Sequence, residues 1–280
     1  MQAAQLVAIL GAGELGGLVA RSLACRDAVR RILLVDEAGA VARGKALDIQ
    51  QSGPVERFDT RLDGTDDLTA IAGAPVVVLA DRDGASEWAG DTALELVRRV
   101  HALAPRAILV AAGARQREVL RAAAVEARVP LTRLVGSAPL AAASAARALA
   151  ALELDWAAPD ISVTMVGVPP RWVAVWSAAT AGGTPLTDLL AAGALARIDD
   201  RLRASWPPGP YQLAAAAAAV VHAILTASHR RLCCFAADPR RPGPPVFSAR
   251  PAALGPSGVI AIDMPPLGPR ERVAMEEAGG

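Results

Sequence analysis

At 280 residues, with 53% hydrophobic and 20% charged side chains, the chain carries enough apolar material for a large buried core. Its 29 basic and 28 acidic residues leave a formal net charge of +1, which excludes the broad basic footprint that nucleic acid or an acidic membrane surface calls for. The longest apolar run, residues 213–221, is mostly alanine, is cut by His222 and falls short of a membrane span.

In chain order, residues 7–10 form a short apolar run of the kind a strand buried on both faces requires, and Gly11, Ala12 and Gly13 follow without a spacer. Gly11 permits a tight turn, Gly13 leaves no side chain between backbone and a pyrophosphate, and Gly16 lets the next helix, residues 15–24, sit close to the strand. The helix amino terminus then faces the phosphates. Residues 32–35 read as the second strand, and Asp36 stands at its carboxyl end, where a carboxylate accepts hydrogen bonds from a ribose 2'-hydroxyl and favours NAD over NADP. Strand, glycine turn, helix, strand and acid in this order describe half of a dinucleotide-binding sheet, with Gly11, Gly13, Glu14, Leu15, Gly16 and Asp36 as its cofactor contacts. A doubly wound fold that keeps such a turn for packing alone has the same sequence, so both readings stand at this point.

Residues 43–50 give a further helical segment within GKALDIQQSGPVERFDTR, which GTDDL follows. That run, with the glycine turn before it, resembles the lactate/malate dehydrogenase family, and within it the malate dehydrogenase type, almost without a break over residues 7–68. The resemblance implies a Rossmann-type parallel sheet over residues 1–136, followed by an α+β carboxyl-terminal substrate domain over residues 137–280. Residues 74–80 and 107–112 read as buried strands, 91–103 and 115–128 as helices, and 131–135 as the short strand closing the first domain. The second domain is expected to open with a helix at 141–152 and an extended stretch at 161–167. TPLTDLL at 184–190 resembles a helix entry, residues 209–227 a long helix, and residues 248–264 the final strands.

The resemblance also says what chemistry to look for: a histidine to exchange the alcohol proton, a carboxylate to hold it, and arginines to clamp a 2-oxo acid. The GGHGD-type turn reads VGVPPRW, with Val168 at the histidine's place. The LDSARFR-type helix reads LAAASAAR, with Ala142 and Ala145 for the aspartate and the bidentate arginine, while Arg147 survives elsewhere on the helix. The PRKPGMSR-type mobile loop is represented by the shorter ADRDGASEW, offering Arg82 alone and expected to close poorly over a substrate. The TNP-type turn at the nicotinamide is AAGAR around Gly113.

His101, His222 and His229 lie off the catalytic turn and read as surface or packed histidines. Val168, Pro169, Pro170, Trp172 and Trp176 offer either strand core or a new apolar ligand site, and Arg171 is a cation facing solvent or an anion. No catalytic residue and no metal site is assigned. The expectation is therefore a non-catalytic protein that binds NAD or a protein partner. The alternatives are an NAD-dependent oxidoreductase with acid/base groups rebuilt from Asp81, Arg82, Asp83 or Arg171, and a structural subunit without cofactor. The resemblance implies a homodimer or tetramer, with helices at 15–24, 43–50 and 209–227 resembling the family's interface helices. Cys25, Cys233 and Cys234 are too few for a disulfide framework, and the first strand begins too early for a signal peptide, which together suggest a cytoplasmic protein.

Overall fold

The computed structural model describes residues 6–84, 87–169, 171–228 and 230–277. Its first half alternates strand and helix: β1 (Val7–Leu10), α1 (Glu14–Ala24), β2 (Arg31–Val35), α2 (Gly39–Glu56), β3 (Arg61–Thr65), β4 (Val76–Leu79), α3 (Gly90–Leu103), β5 (Ile108–Ala111), α4 (Gln116–Val125) and β6 (Leu134–Gly136). These six strands lie in the order β3-β2-β1-β4-β5-β6, every neighbouring pair parallel. Valine and leucine fill β1 and β4, which are buried along their whole length as a strand covered by helices on both faces must be. The chain winds one way from β1 to β3 and the other way from β4 to β6. The crevice beyond the carboxyl ends of β1 and β4 is thus the switch point at which doubly wound sheets hold ligands.

The second half comprises α5 (Ala138–Leu154), β7 (Ile161–Ser162), β8 (Met165–Val168), β9 (Arg171–Ala174), β10 (Thr180–Ala181), β11 (Thr184–Pro185), α6 (Leu186–Leu189), α7 (Ala192–Ala204), α8 (Pro210–Thr226), β12 (Arg231–Ala236), β13 (Ser248–Gly255), β14 (Gly258–Ile262) and α9 (Pro269–Glu277). The large sheet continues antiparallel through β12, β13, β8 and β9, joined to β6 where Phe235 lies opposite Gly136. Strands β7, β10 and β11 make a small separate sheet. Trp172 stacks on Phe235 at 5.8 Å between ring centroids and meets Trp206 edge-on at 4.7 Å. Both tryptophans of that segment, Trp172 and Trp176, are buried, and Trp176 Nε1 donates to Asp199 at 3.0 Å, so they are core.

Several expected boundaries shift. The segment expected at 43–50 is the middle of an 18-residue helix, because Ser52, Gly53 and Pro54 are carried inside its last turns rather than breaking it. Gly53 packs against Phe58, and Arg57 in the left-handed region (φ 65°) ends the helix by donating to the Gly53 carbonyl. The helix expected to reach residue 128 stops at Val125, and Arg128 turns the chain at φ 55°. Residues 131–133 form a 3-10 turn, closed by Arg133 N donating to Pro130 O, so the short strand starts at Leu134. The stretch expected at 161–167 divides between two sheets, β7 into the small one and β8 into the large one. Helix α7, strand β12 and helix α9 had no counterpart in the sequence reading. No helix among the described residues is long and apolar enough to cross a membrane.

Candidate functional site

The glycine turn sits at the switch point. Gly11 (φ 105°) donates to Val35 O at 2.8 Å, and Gly13 N donates to Asp81 O at 2.9 Å, tying the turn to the ends of β2 and β4. A Cβ on Gly16 would overlap the Gly11 carbonyl, so this glycine brings α1 against the turn as expected. Glu14 is exposed in the first turn of α1 and Leu15 is buried beneath it. Lys45, the chain's one lysine, reaches over from α2 and donates to the Ala12 and Gly13 carbonyls at 2.6 and 2.7 Å.

Two of the free amides at the start of α1 are already taken. Leu15 N donates to Asp81 Oδ2 at 3.1 Å and Gly16 N to Asp81 Oδ1 at 2.8 Å, so a carboxylate caps the positive end of the helix in a two-pronged arrangement. A Cβ on Gly13 would overlap the Asp81 carboxylate: the space left by that glycine is filled from within the chain. Asp36 is buried at the end of β2, where its Oδ2 accepts from Ala12 N at 2.7 Å and Asp83 N at 3.0 Å, and its Oδ1 from Ala38 N at 2.9 Å.

A third acid completes the row. Glu87, bridged to Asp81 across an antiparallel pair, accepts from Ala114 N at 2.5 Å and Arg115 N at 2.8 Å, just ahead of α4. A Cβ on Gly113 would overlap the Glu87 carboxylate. Between these acids the Arg82 guanidinium lies 4.8 Å from the Trp88 ring centroid, within cation–π range. A cavity of about 190 Å³ remains beside them, with Asp36, Asp66, Arg82, Trp88, Glu95 and Arg99 in its wall. Asp81 and Glu87, on the two sides of the turn after β4, thus find backbone amides at both ends of the cleft.

No family model matches the chain. The malate dehydrogenase of Thioalkalivibrio sulfidiphilus is 30% identical over 292 residues, covering 97% of this chain and 95% of that protein. This chain belongs to the lactate/malate dehydrogenase family. A second relative, the malate dehydrogenase of Chloroherpeton thalassium, is 29% identical over 207 residues, 70% of this chain and 67% of that protein. The solved malate dehydrogenase of Salinibacter ruber superposes with a TM-score of 0.89 at 24% identity over 98% of this chain and 94% of that one. The lactate dehydrogenase of Cryptosporidium parvum, solved with lactic acid and nicotinamide adenine dinucleotide, superposes with a TM-score of 0.89 at 21% identity, covering 99% and 95%. Both have the mostly parallel α/β architecture described above.

Val168, Ala142 and Ala145, singled out from the family resemblance, lie in the second half of the chain. Val168 is paired with Arg171 at the closed end of the β8–β9 hairpin, and the exposed Arg171 guanidinium donates to Glu277 O at 2.7 Å, at the end of α9. Ala142 and Ala145 lie on α5, where Arg147 donates to Ala158 O at 3.1 Å and Pro159 O at 3.4 Å. His101 is on α3, and His229 and Pro170 lie outside the described residues.

His222 lines a groove of about 520 Å³ between α5 and α8, with Arg26, Arg147 and Arg230. Burial, then the nearby Arg26 and Arg230 charges, hold its imidazole below the usual histidine value. Burial pushes the Cys233 and Cys234 thiols up, and no cysteine is bonded to another. Among the described residues no group of three potential ligands could hold a metal.

Asp81 and Glu87 are the residues whose place the sequence reading missed, Asp81 having been considered for acid/base work alone. No local signal in ADRDGASEW marked either acid as turned into the cleft.

Proposed function

We propose that this chain is a non-catalytic member of the lactate/malate dehydrogenase family, retaining a nucleotide cleft that takes NAD(H) and acts as a sensor or as a partner of another protein. The observation that carries this reading is Val168. Hydride transfer to a 2-oxo acid needs a group that exchanges a proton at the new hydroxyl, and the position where the family resemblance puts an imidazole holds a hydrocarbon fixed in a β-ladder. Loss of a general base costs ~10²- to 10⁴-fold in rate. The alanines at 142 and 145 put neither an orienting carboxylate nor a guanidinium fork at those two positions of α5.

Gly11, Gly13, Glu14, Leu15, Gly16 and Asp36 are the cofactor contacts in this reading, residues 1–136 the nucleotide domain and residues 137–280 the second domain. Self-association as a homodimer or tetramer belongs to the same proposal. Helix α1 packs along α8 inside one chain. Helix α2 keeps Leu47 and Val55 exposed, and α8 keeps Tyr211 exposed, for a neighbouring copy.

The test is a panel of 2-oxo acids, oxaloacetate and pyruvate among them, incubated with NADH and the purified protein. No oxidation above the buffer rate is expected, while turnover in the ordinary enzymatic range of about 1 to 10³ per second would refute the reading. A parallel calorimetric titration with NADH reads the cleft itself.

A further inference from the structure

We propose that Asp81 is an intramolecular stand-in for the cofactor's pyrophosphate. On this assignment, residues 81–84 and 87–88 compete with a dinucleotide for one cleft, and Asp81 sets the affinity. The inference rests on the reading that the cleft takes NAD(H). It adds that the chain already supplies an occupant.

The argument is one of donors, space and charge. A phosphate at a helix amino terminus is held by the first free amides, and those of Leu15 and Gly16 both point at the two oxygens of Asp81. The volume over Gly13, which has to be empty for a pyrophosphate to reach the backbone, contains the Asp81 carboxyl group. Two anions cannot share one pair of donors. At the ribose position, Asp36 accepts from Asp83 N of the same segment, so the acid that would receive a sugar hydroxyl is engaged by the occupant as well. At the far end, Glu87 takes the amides of Ala114 and Arg115, and the Asp81–Glu87 bridge links the two anchor points. Residues 81–84 and 87–88 thus hold anchor points at the start of α1 and at the approach to α4.

Arg82 Nε and Trp88 Nε1 are buried beside the cleft and meet no acceptor among the described residues, donors that the oxygens of a dinucleotide would satisfy. The apparent affinity for a dinucleotide is then the intrinsic affinity reduced by the fraction of molecules with the segment out. A segment closed in nine molecules of ten, or ninety-nine of a hundred, weakens binding about 10- or 100-fold.

The experiment is calorimetric titration of the full chain, Asp81→Ala and Asp81→Asn with NADH and, separately, with inorganic pyrophosphate, together with amide hydrogen exchange at Leu15 and Gly16. Asp81→Ala is expected to bind NADH at least about tenfold more tightly than the native chain. Its Leu15 and Gly16 amides should exchange faster when free and slow again on binding. Asp81→Asn, which keeps an acceptor oxygen and loses the charge, is expected in between, and it carries the comparison if the alanine variant does not fold. Equal NADH affinity in the native chain and the variants would overturn the proposal. If NADH binds none of them but pyrophosphate binds a variant and not the native chain, the stand-in assignment holds and the dinucleotide reading is what fails. If folded variants bind neither probe, the assignment is wrong.

Discussion

Gly13→Ala separates a glycine kept for a cofactor from a glycine kept for the chain's own acid. The backbone there is extended (φ −67°, ψ −164°), a conformation open to any residue, so alanine brings no backbone strain. The nearest atoms that its methyl would meet all belong to the Asp81 carboxyl group, which must leave the α1 amides. Hydrogen bonds to a charged acceptor contribute about 1.5–3 kcal/mol each, and the half-exposed setting places the pair near the low end, so a loss of about 2–3 kcal/mol is expected. In an Asp81→Ala background the obstructing atoms are gone, and the same glycine substitution should cost under about 1 kcal/mol, a coupling of about 2 kcal/mol. Urea unfolding of the four proteins of this cycle measures it. Equal costs in the two backgrounds would refute the reasoning, because the methyl would then be displacing something other than Asp81.

Trp172→Ala should lose about 3–5 kcal/mol in the same assay, since the indole fills the space between Phe235 and Trp206, while Trp172→Phe should lose much less; a mild alanine variant would remove Trp172 from the core. His222, held low first by burial and then by Arg26 and Arg230, should titrate below 6.5 by proton NMR, and Arg230→Gln should raise its midpoint. Because its folded value is depressed, the unfolded chain binds the proton first: stability from this residue is complete above 6.5 and falls away as pH drops toward the folded midpoint. A His222→Gln variant with an unchanged acid limb of the stability curve would contradict that account.

The first strand, turn, helix and Asp36 were legible because each is a local decision: an apolar run that must be buried, glycines where the chain turns or packs closely, an acid at a strand's end. Helix α2 was underestimated because Ser52, Gly53 and Pro54 are breakers by composition, yet the helix runs through them, with Gly53 close against Phe58 and Ser52 Oγ donating to Ile49 O. The carboxylate on α1 was illegible for a different reason. Asp81 is 65 and 66 residues away from the amides it caps, and nothing in ADRDGASEW distinguishes an acid turned into a cleft from one in solvent. The catalytic positions were read from the family resemblance alone. What the fold adds is that Val168 pairs with Arg171 at the end of the β8–β9 hairpin and that Arg171 donates to Glu277 O of α9.

Lys45 gives the molecule an unusual chemical property. It is the one side-chain primary amine in 280 residues, and both of its hydrogen bonds end on the carbonyls of the glycine turn. Reagents that acylate amines can modify that side chain when it lets go of Ala12 and Gly13. The rate of labelling at Lys45 therefore reports how often that amine lets go of the glycine-turn carbonyls, readable in the native sequence with no engineered probe.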